Sequence, residues 1–287
     1  MELFKADILE SLKKMEKPLL TNVDINSTFF LHKEEWKLPQ KTSVHDFLQF
    51  LLKKKMVKEL IVKSSKGSVT RYLFGEVINP PADLVALSLF PGSYLSHFSA
   101  VHYHGLTDEI IKTIYVNKEQ SQRRPIITRE NKLLPQENID FAFSRPMRQT
   151  NNFYEYDGRH ICVLNGSYTN NLGVFKKGMF AIANLERTLI DIAVRPEYCG
   201  GVFEVMKVYE KAKGQVSANK IKAYLATMNY IYPYHQVIGF YLERAGYRDS
   251  AVKAMESIPI NNRFYLTYEM QNPEFSSRWQ LYYPKNI

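Results

Sequence analysis

The sequence predicts an α+β protein in two parts: a small helix-and-hairpin domain followed by a larger mixed α/β domain. Three observations lead there. The 287 residues suffice for two domains. Apolar residues recur at helical spacing in some segments and alternate in others, along the whole chain. The turn-forming Asn79-Pro80-Pro81 separates a short basic stretch from a long one of ordinary composition. The expected boundaries are 1–80 and 81–287.

In chain order, Leu3, Phe4, Ile8, Leu12 and Met15 form a helical stripe over residues 3–16, and Pro18 ends it. A polar segment with Asn22, Asp24 and Asn26 follows, then an apolar patch at Phe29–Leu31 and one or two helical turns over 32–36. Thr42 or Ser43 can cap a helix, because a hydroxyl accepts a bond from an unpaired N–H of the first turn. Asp46 suits the positive end of the helix dipole. Val44, Phe47, Leu48, Leu51 and Leu52 lie one turn apart, with Asp46, Gln49 and Lys53 on the opposite side. Leu60-Ile61-Val62 and the alternating 69–74 run then flank Lys63-Ser64-Ser65-Lys66-Gly67-Ser68, a hairpin with a basic tip.

The larger part predicts helices over 82–90, 96–104, 184–194, 203–212, 218–228 and 236–245. It predicts strands over 113–116, 139–143, 160–164, 172–175, 264–268 and 279–283. No repeat or low-complexity tract interrupts it.

Composition narrows the function. Apolar residues make up 45%, too many for a disordered chain, and no apolar run reaches membrane-spanning length. Two cysteines, Cys162 and Cys199, cannot build a disulfide framework or a four-cysteine zinc site, and they fit a reducing, cytoplasmic compartment. The net charge is +9. Between Lys41 and Phe74 there are eight basic against two acidic side chains; beyond residue 80 the balance is 24 against 19.

Helices, a capped helix with a basic end and a basic-tipped hairpin are the order of a winged helix-turn-helix. Such a helix enters a major groove, and lysines beside it hold phosphates. The candidate DNA-binding residues are Lys41, Thr42, Ser43, His45, Asp46, Gln49, Lys53, Lys54, Lys63, Ser65, Lys66 and Arg71. Ser43, His45, Asp46 and Gln49 are the base readers among them. Double-stranded DNA is the expected partner. A dipole-favoured lysine run and a solvated hairpin tip are the bland alternative.

Catalytic motifs are missing. No Walker loop, GxSxG or GxGxxG is present, and Asp140, Glu155 and Asp157 lack the Glu-x-Lys companion of a nuclease. Nothing marks an activating partner for Cys199. His97, His102 and His104 are spaced so that a helix does not bring all three to one face, which favours packing or capping over metal binding. Arg187, Asp191 and Arg195 recur every four residues, so Asp191 can pair with either arginine. Arg123, Arg124, Arg129, Arg145 and Arg148 form a second basic region. No cofactor, metal or catalytic residue is expected.

The segment 94–107, Tyr-Leu-Ser-His-Phe-Ser-Ala-Val-His-Tyr-His-Gly-Leu-Thr, followed by Ile114-Tyr115-Val116, resembles the core of the AbiEi family of type IV toxin–antitoxin (abortive-infection) antitoxins. The run from Glu186-Arg187-Thr188-Leu189-Ile190-Asp191 to Arg195-Pro196-Glu197-Tyr198-Cys199-Gly200-Gly201 resembles that family's second signature. The likeness extends over most of the chain up to about residue 250. It implies a non-enzymatic antitoxin whose winged helix represses its own operon through inverted repeats. It also implies a larger domain that counteracts a nucleotidyltransferase-like toxin without a stable complex. The motif residues it singles out are Ser96, His97, Ser99, His102, His104, Gly105, Glu186, Arg187, Asp191 and Arg195. An extra leading helix and the 21–26 segment depart from the family pattern and blur the register of the recognition helix. A winged-helix-targeted nuclease and a protein-interaction scaffold are the alternative functions.

Overall fold

A computed structural model describes residues 1–75, 79–122 and 134–287. The fold is α+β, with helices and mixed sheets. It divides into two compact units, residues 1–91 with 152–161 and residues 92–151 with 162–287.

The first unit begins with α1 (Lys5–Lys13), β1 (Leu19–Leu20), α2 (Asn22–His32) and α3 (Val44–Lys53). β2 (Val57–Ser64), β3 (Gly67–Phe74) and α4 (Ala82–Leu89) follow. The polar look of 22–26 hides a helix. Thr21 and Asp24 form a reciprocal cap, while Ile25, Thr28 and Phe29 face inward. The expected cap of α3 is also present, with Ser43 and Asp46 bonded in both directions. Ile8, Leu12, Phe29, Trp36, Phe47, Leu51 and Tyr72 form the core, burying the apolar stripes of α1–α3 against one face of the hairpin. β1 pairs with β3, and β3 with β2, all antiparallel.

The unit continues past the expected end at Pro80. The Arg71 guanidinium reaches the carbonyls of Ser88 and Leu89 at the end of α4, which ties α4 to the hairpin. A strand from far along the chain, Phe153–Tyr156, pairs with β2 at Lys63–Glu155 and Ser64–Tyr154. Its Tyr156 hydroxyl donates to the Pro80 carbonyl, 3.2 Å away.

The second unit holds β4 (Tyr94–Leu95), α5 (His97–Tyr103), β5 (Thr113–Asn117) and α6 (Gln136–Phe143). With Phe153–Tyr156 as β6, the chain continues through β7 (Arg159–Leu164), whose last three residues belong to this unit, β8 (Val174–Lys177) and β9 (Phe180–Ala183). The sheet runs β7-β5-β4-β9-β8, with β4 and β9 parallel. Residues 139–143, expected as a strand, end helix α6. Ile139 and Phe143, four apart, point inward while Phe141 is exposed, a helical period that a short apolar run does not reveal.

Next come α7 (Leu185–Val194), α8 (Val202–Lys211), α9 (Ala218–Met228), α10 (Tyr234–Arg244) and α11 (Asp249–Glu256). Their apolar faces close around Ile190, Val205, Tyr209, Val237 and Tyr241. A small sheet of 264–265, 274–276 and 281–283 packs Phe264, Trp279 and Leu281 into the same core. Among the described residues no helix is long and apolar enough to cross a membrane.

Candidate functional site

Two groups of predicted residues separate in the structure, one on the surface of the first unit and one buried in the second. On α3, Phe47 and Leu51 face the core, while His45, Gln49 and Lys53, four residues apart, form an exposed row. Lys41, Lys63, Ser65 and Lys66 are exposed as well.

Five residues of the expected DNA-binding set are engaged by contacts within the fold. Arg71 is only 7% exposed, and its guanidinium donates to the carbonyls of Thr70, Ser88 and Leu89, leaving it no reach to a phosphate. The Lys54 ammonium is taken by Glu2 at 2.8 Å. The Ser43 hydroxyl donates to Asp46 Oδ2 at 2.7 Å, and the Asp46 N–H returns a bond to Ser43 Oγ, so both side chains are spent on the cap. The bonds from Ser43 hold the Asp46 carboxyl below its ordinary range, and a carboxylate there repels phosphate. Thr42 is half-buried, with its carbonyl accepting from Lys33 Nζ.

Sequence reasoning missed the 152–161 segment beside the hairpin. It lines a groove of about 400 Å³ with Ile61 and Lys63, and brings exposed Arg159 and His160 together with Glu155 and Asp157. Only strand pairing across about 90 residues reveals that neighbourhood, and no local pattern encodes it.

In the second unit, α7 begins at Asn184, whose side chain accepts from the Arg187 N–H. This places Arg187 and Asp191 on the buried side of the helix, one turn apart. Arg187 Nε donates to Asp191 Oδ1 at 2.8 Å and Nη2 to the Tyr94 hydroxyl at 3.0 Å. Nη1 donates to Thr169 Oγ1 and to the Leu172 carbonyl, and lies 3.9 Å from Glu119. The Tyr94 hydroxyl also accepts from Asn117 Nδ2 at 2.6 Å and donates to Glu119 at 3.3 Å. Burial opposes the charge on Arg187, but Asp191 together with the neighbouring Tyr94 and Tyr230 outweighs it and holds the guanidinium firmly protonated. Burial likewise opposes the charge on Glu119, yet the Thr169 and Asn171 donors and Arg187 keep its carboxyl below the usual range.

His97 is buried beside this group with a left-handed backbone (φ 47°), its Nδ1 3.0 Å from Ser96 Oγ. Burial pushes the imidazole down to about 4 against the pull of Asp191. Asp191 Oδ2 is buried and accepts no hydrogen bond from the described residues.

The other motif residues are structural. Ser99 Oγ accepts from the Tyr115 N–H. His104 Nε2 bonds the Ala183 carbonyl, His102 is exposed, and Gly105 turns left-handed just past the end of α5. Glu186 pairs with Lys220 and accepts from the Ser217 N–H, joining α7 to α9. Arg195 donates to the Arg148 carbonyl rather than to Asp191's side chain. Cys162 and Cys199 are buried, and burial raises both thiols, that of Cys162 to about 12. Arg145 lies over the Phe141 ring, while Arg123, Arg124 and Arg129 fall outside the described residues. Among the described residues no three His, Cys, Asp or Glu side chains converge as a metal site.

The buried group thus cross-links α7, β4, β5 and the 165–173 loop through charge-assisted bonds. The exposed group presents donors, acceptors and cations to solvent.

No family model matches the chain, and no curated protein sequence does. Among solved structures it is similar to the RV2827C protein from Mycobacterium tuberculosis. That crystal structure shares 13% identity with it, at a TM-score of 0.53 over 98% of this chain and 91% of that chain. At that identity the likeness is one of overall fold alone.

Proposed function

We propose that this chain is a DNA-binding antitoxin that represses its own operon, with the first unit serving as a winged helix-turn-helix. The single observation that carries the DNA-binding half is the outward row His45, Gln49 and Lys53 on a helix whose other face is buried. His45 and Gln49 carry donors and acceptors suited to base edges. Lys53 and Lys41 at the helix, with Lys63 and Lys66 on the hairpin, suit phosphates on either side. The order helix, strand, helix, helix, hairpin, with the short strand on the outer hairpin edge, supports the same reading.

The antitoxin half rests on the resemblance of the two motifs to the AbiEi family. In this reading the chain catalyses nothing itself. It binds inverted repeats upstream of its own operon and counteracts a nucleotidyltransferase-like toxin without a stable complex.

The test is fluorescence anisotropy with DNA from the gene's own upstream region against a scrambled duplex, at two salt concentrations. Specific binding tighter by about 10³ or more is expected. Lys63→Ala with Lys66→Ala should weaken binding to both duplexes and flatten the salt dependence. Equal affinity for the two duplexes would overturn the repressor reading. Co-expression with an adjacent nucleotidyltransferase-like gene tests the antitoxin half, with rescued growth as the expected result.

A further inference from the structure

The buried network of the second unit reaches a segment that also faces outward, the loop 165–173. That loop is pinned from beneath along its length. The Gly166 N–H donates to Asn117 Oδ1 at 2.9 Å. The Thr169 and Asn171 N–H groups donate to Glu119 Oε2 at 2.7 and 3.1 Å, and the Thr169 hydroxyl bonds Oε1. The Leu172 carbonyl accepts from Arg187 Nη1, and the Gly173 carbonyl from the Asn184 N–H at 2.7 Å. Both ends lie so close to the network that side chains would collide. A Cβ at Gly166 would sit 2.8 Å from the Asn117 amide, and one at Gly173 2.8 Å from the Tyr224 ring and 2.9 Å from Arg187. Burying an arginine with two carboxylates is costly. What the arrangement yields here is a loop of fixed shape.

The outward side of that loop shows Ser167, Tyr168, Asn170 and Asn171, and Tyr168 is 43% exposed. The edge strand β8 and its turn continue the surface with exposed Phe175, Lys176, Lys177 and Met179. From Val163 to Leu185 there is no carboxylate side chain, and Lys176 and Lys177 are the only charges.

Tyr, Ser and Asn on a rigid loop is the composition with which binding loops recognise proteins. The aromatic gives area at low entropic cost, and fixing the backbone beforehand lowers the cost of binding. We propose that the 165–173 loop and β8 form a docking surface for an acidic protein partner. Tyr168 is its aromatic anchor, and partner carboxylates meet Lys176 and Lys177. Two lysines and two exposed aromatics, with the Phe175 ring already against Tyr103 and His104, are too few for the stacking track that a single-stranded nucleic acid needs. The inference is independent of the DNA-binding reading, which concerns the other unit.

The test pans a random peptide display library on the full chain and subtracts what is retained by Tyr168→Ala. The surviving peptides are then titrated against variants. They should be net acidic, lose about tenfold or more in affinity for Tyr168→Ala and for Lys176→Glu with Lys177→Glu, and keep it for Gln49→Ala. Because these side chains are exposed, thermal midpoints of the variants should match the parent. If Tyr168→Ala fails to fold, the lysine double variant serves as the subtraction partner. Neutral or basic survivors, or no survivors, overturn the proposal. So does Tyr168-dependent binding of oligothymidylate.

Discussion

The exposed face of α3 and the buried cluster around Arg187 both draw on charged and polar side chains, but under opposite physical terms. At α3, His45, Gln49 and Lys53 stand in water, where each side chain costs little to keep and little to remove. Around Arg187, three ionised groups share a dry interior, and nearly every donor and acceptor is already used. A surface of the first kind is free to bind a partner and evolve with it. A cluster of the second kind fixes geometry, because no member can be lost alone. The comparison predicts that substitutions in the Arg187 cluster act on stability, while those in the exposed α3 row act on binding.

The largest effect should come from Arg187→Ala. It strands Asp191 and Glu119 as buried carboxylates, and the cost should be about 3–5 kcal/mol. The two tryptophans make this measurable by unit, since Trp36 lies in the first core and Trp279 in the second. In single-tryptophan variants, denaturant titration should show the Trp279 transition moved and the Trp36 transition in place. An unchanged Trp279 midpoint would break the contrast.

Acid should act next, and again on the second unit. An unfolded imidazole titrates near 6.5. In the fold, burial holds His97 and His235 down to about 4. The stability from keeping them neutral is therefore complete above about pH 6.5 and is lost as pH falls from there toward 4, where the folded state takes up protons too. At pH 5 the loss should be about 2 kcal/mol for each. Asn accepts the left-handed backbone at 97, so His97→Asn should remove roughly half of the fall in the Trp279 midpoint between pH 7 and 5. A fall of unchanged size would remove His97 from the account.

These contrasts also explain what the sequence disclosed. The α3 stripe, its Ser43 cap and the Asn184–Val194 helix were legible because each is a local pattern with one period. The spacing of Arg187, Asp191 and Arg195 narrowed the partner of Asp191 to two arginines, of which Arg187 is the one that pairs. Helix α2 was not legible, since its exposed Val23, Phe30 and Leu31 blur the amphipathic stripe and its polar start looks like a loop. Tyr94, the Asn117–Glu119 pair and Thr169 come from three separated segments, so no spacing rule joins them to Arg187. Arg71 misled because alternation places a side chain on a face without saying what covers that face; α4 does.

The smallest expected effect separates the cap from the proposed reading face within α3 itself. Ser43→Ala removes the acceptor for the Asp46 N–H and should cost about 1 kcal/mol of first-unit stability, seen at Trp36. It should leave sequence preference on DNA unaltered, because the Ser43 hydroxyl is bonded to Asp46 rather than turned outward. Gln49→Ala should do the reverse. An exposed polar side chain removed from a helix changes stability by no more than about 0.5 kcal/mol, yet losing a base contact costs about 1–3 kcal/mol of discrimination at one operator position. If Ser43→Ala relaxed sequence preference while Gln49→Ala left it intact, the reading face would move from the exposed row to the start of the helix. The exposed row His45, Gln49 and Lys53 would then not be the one that reads bases.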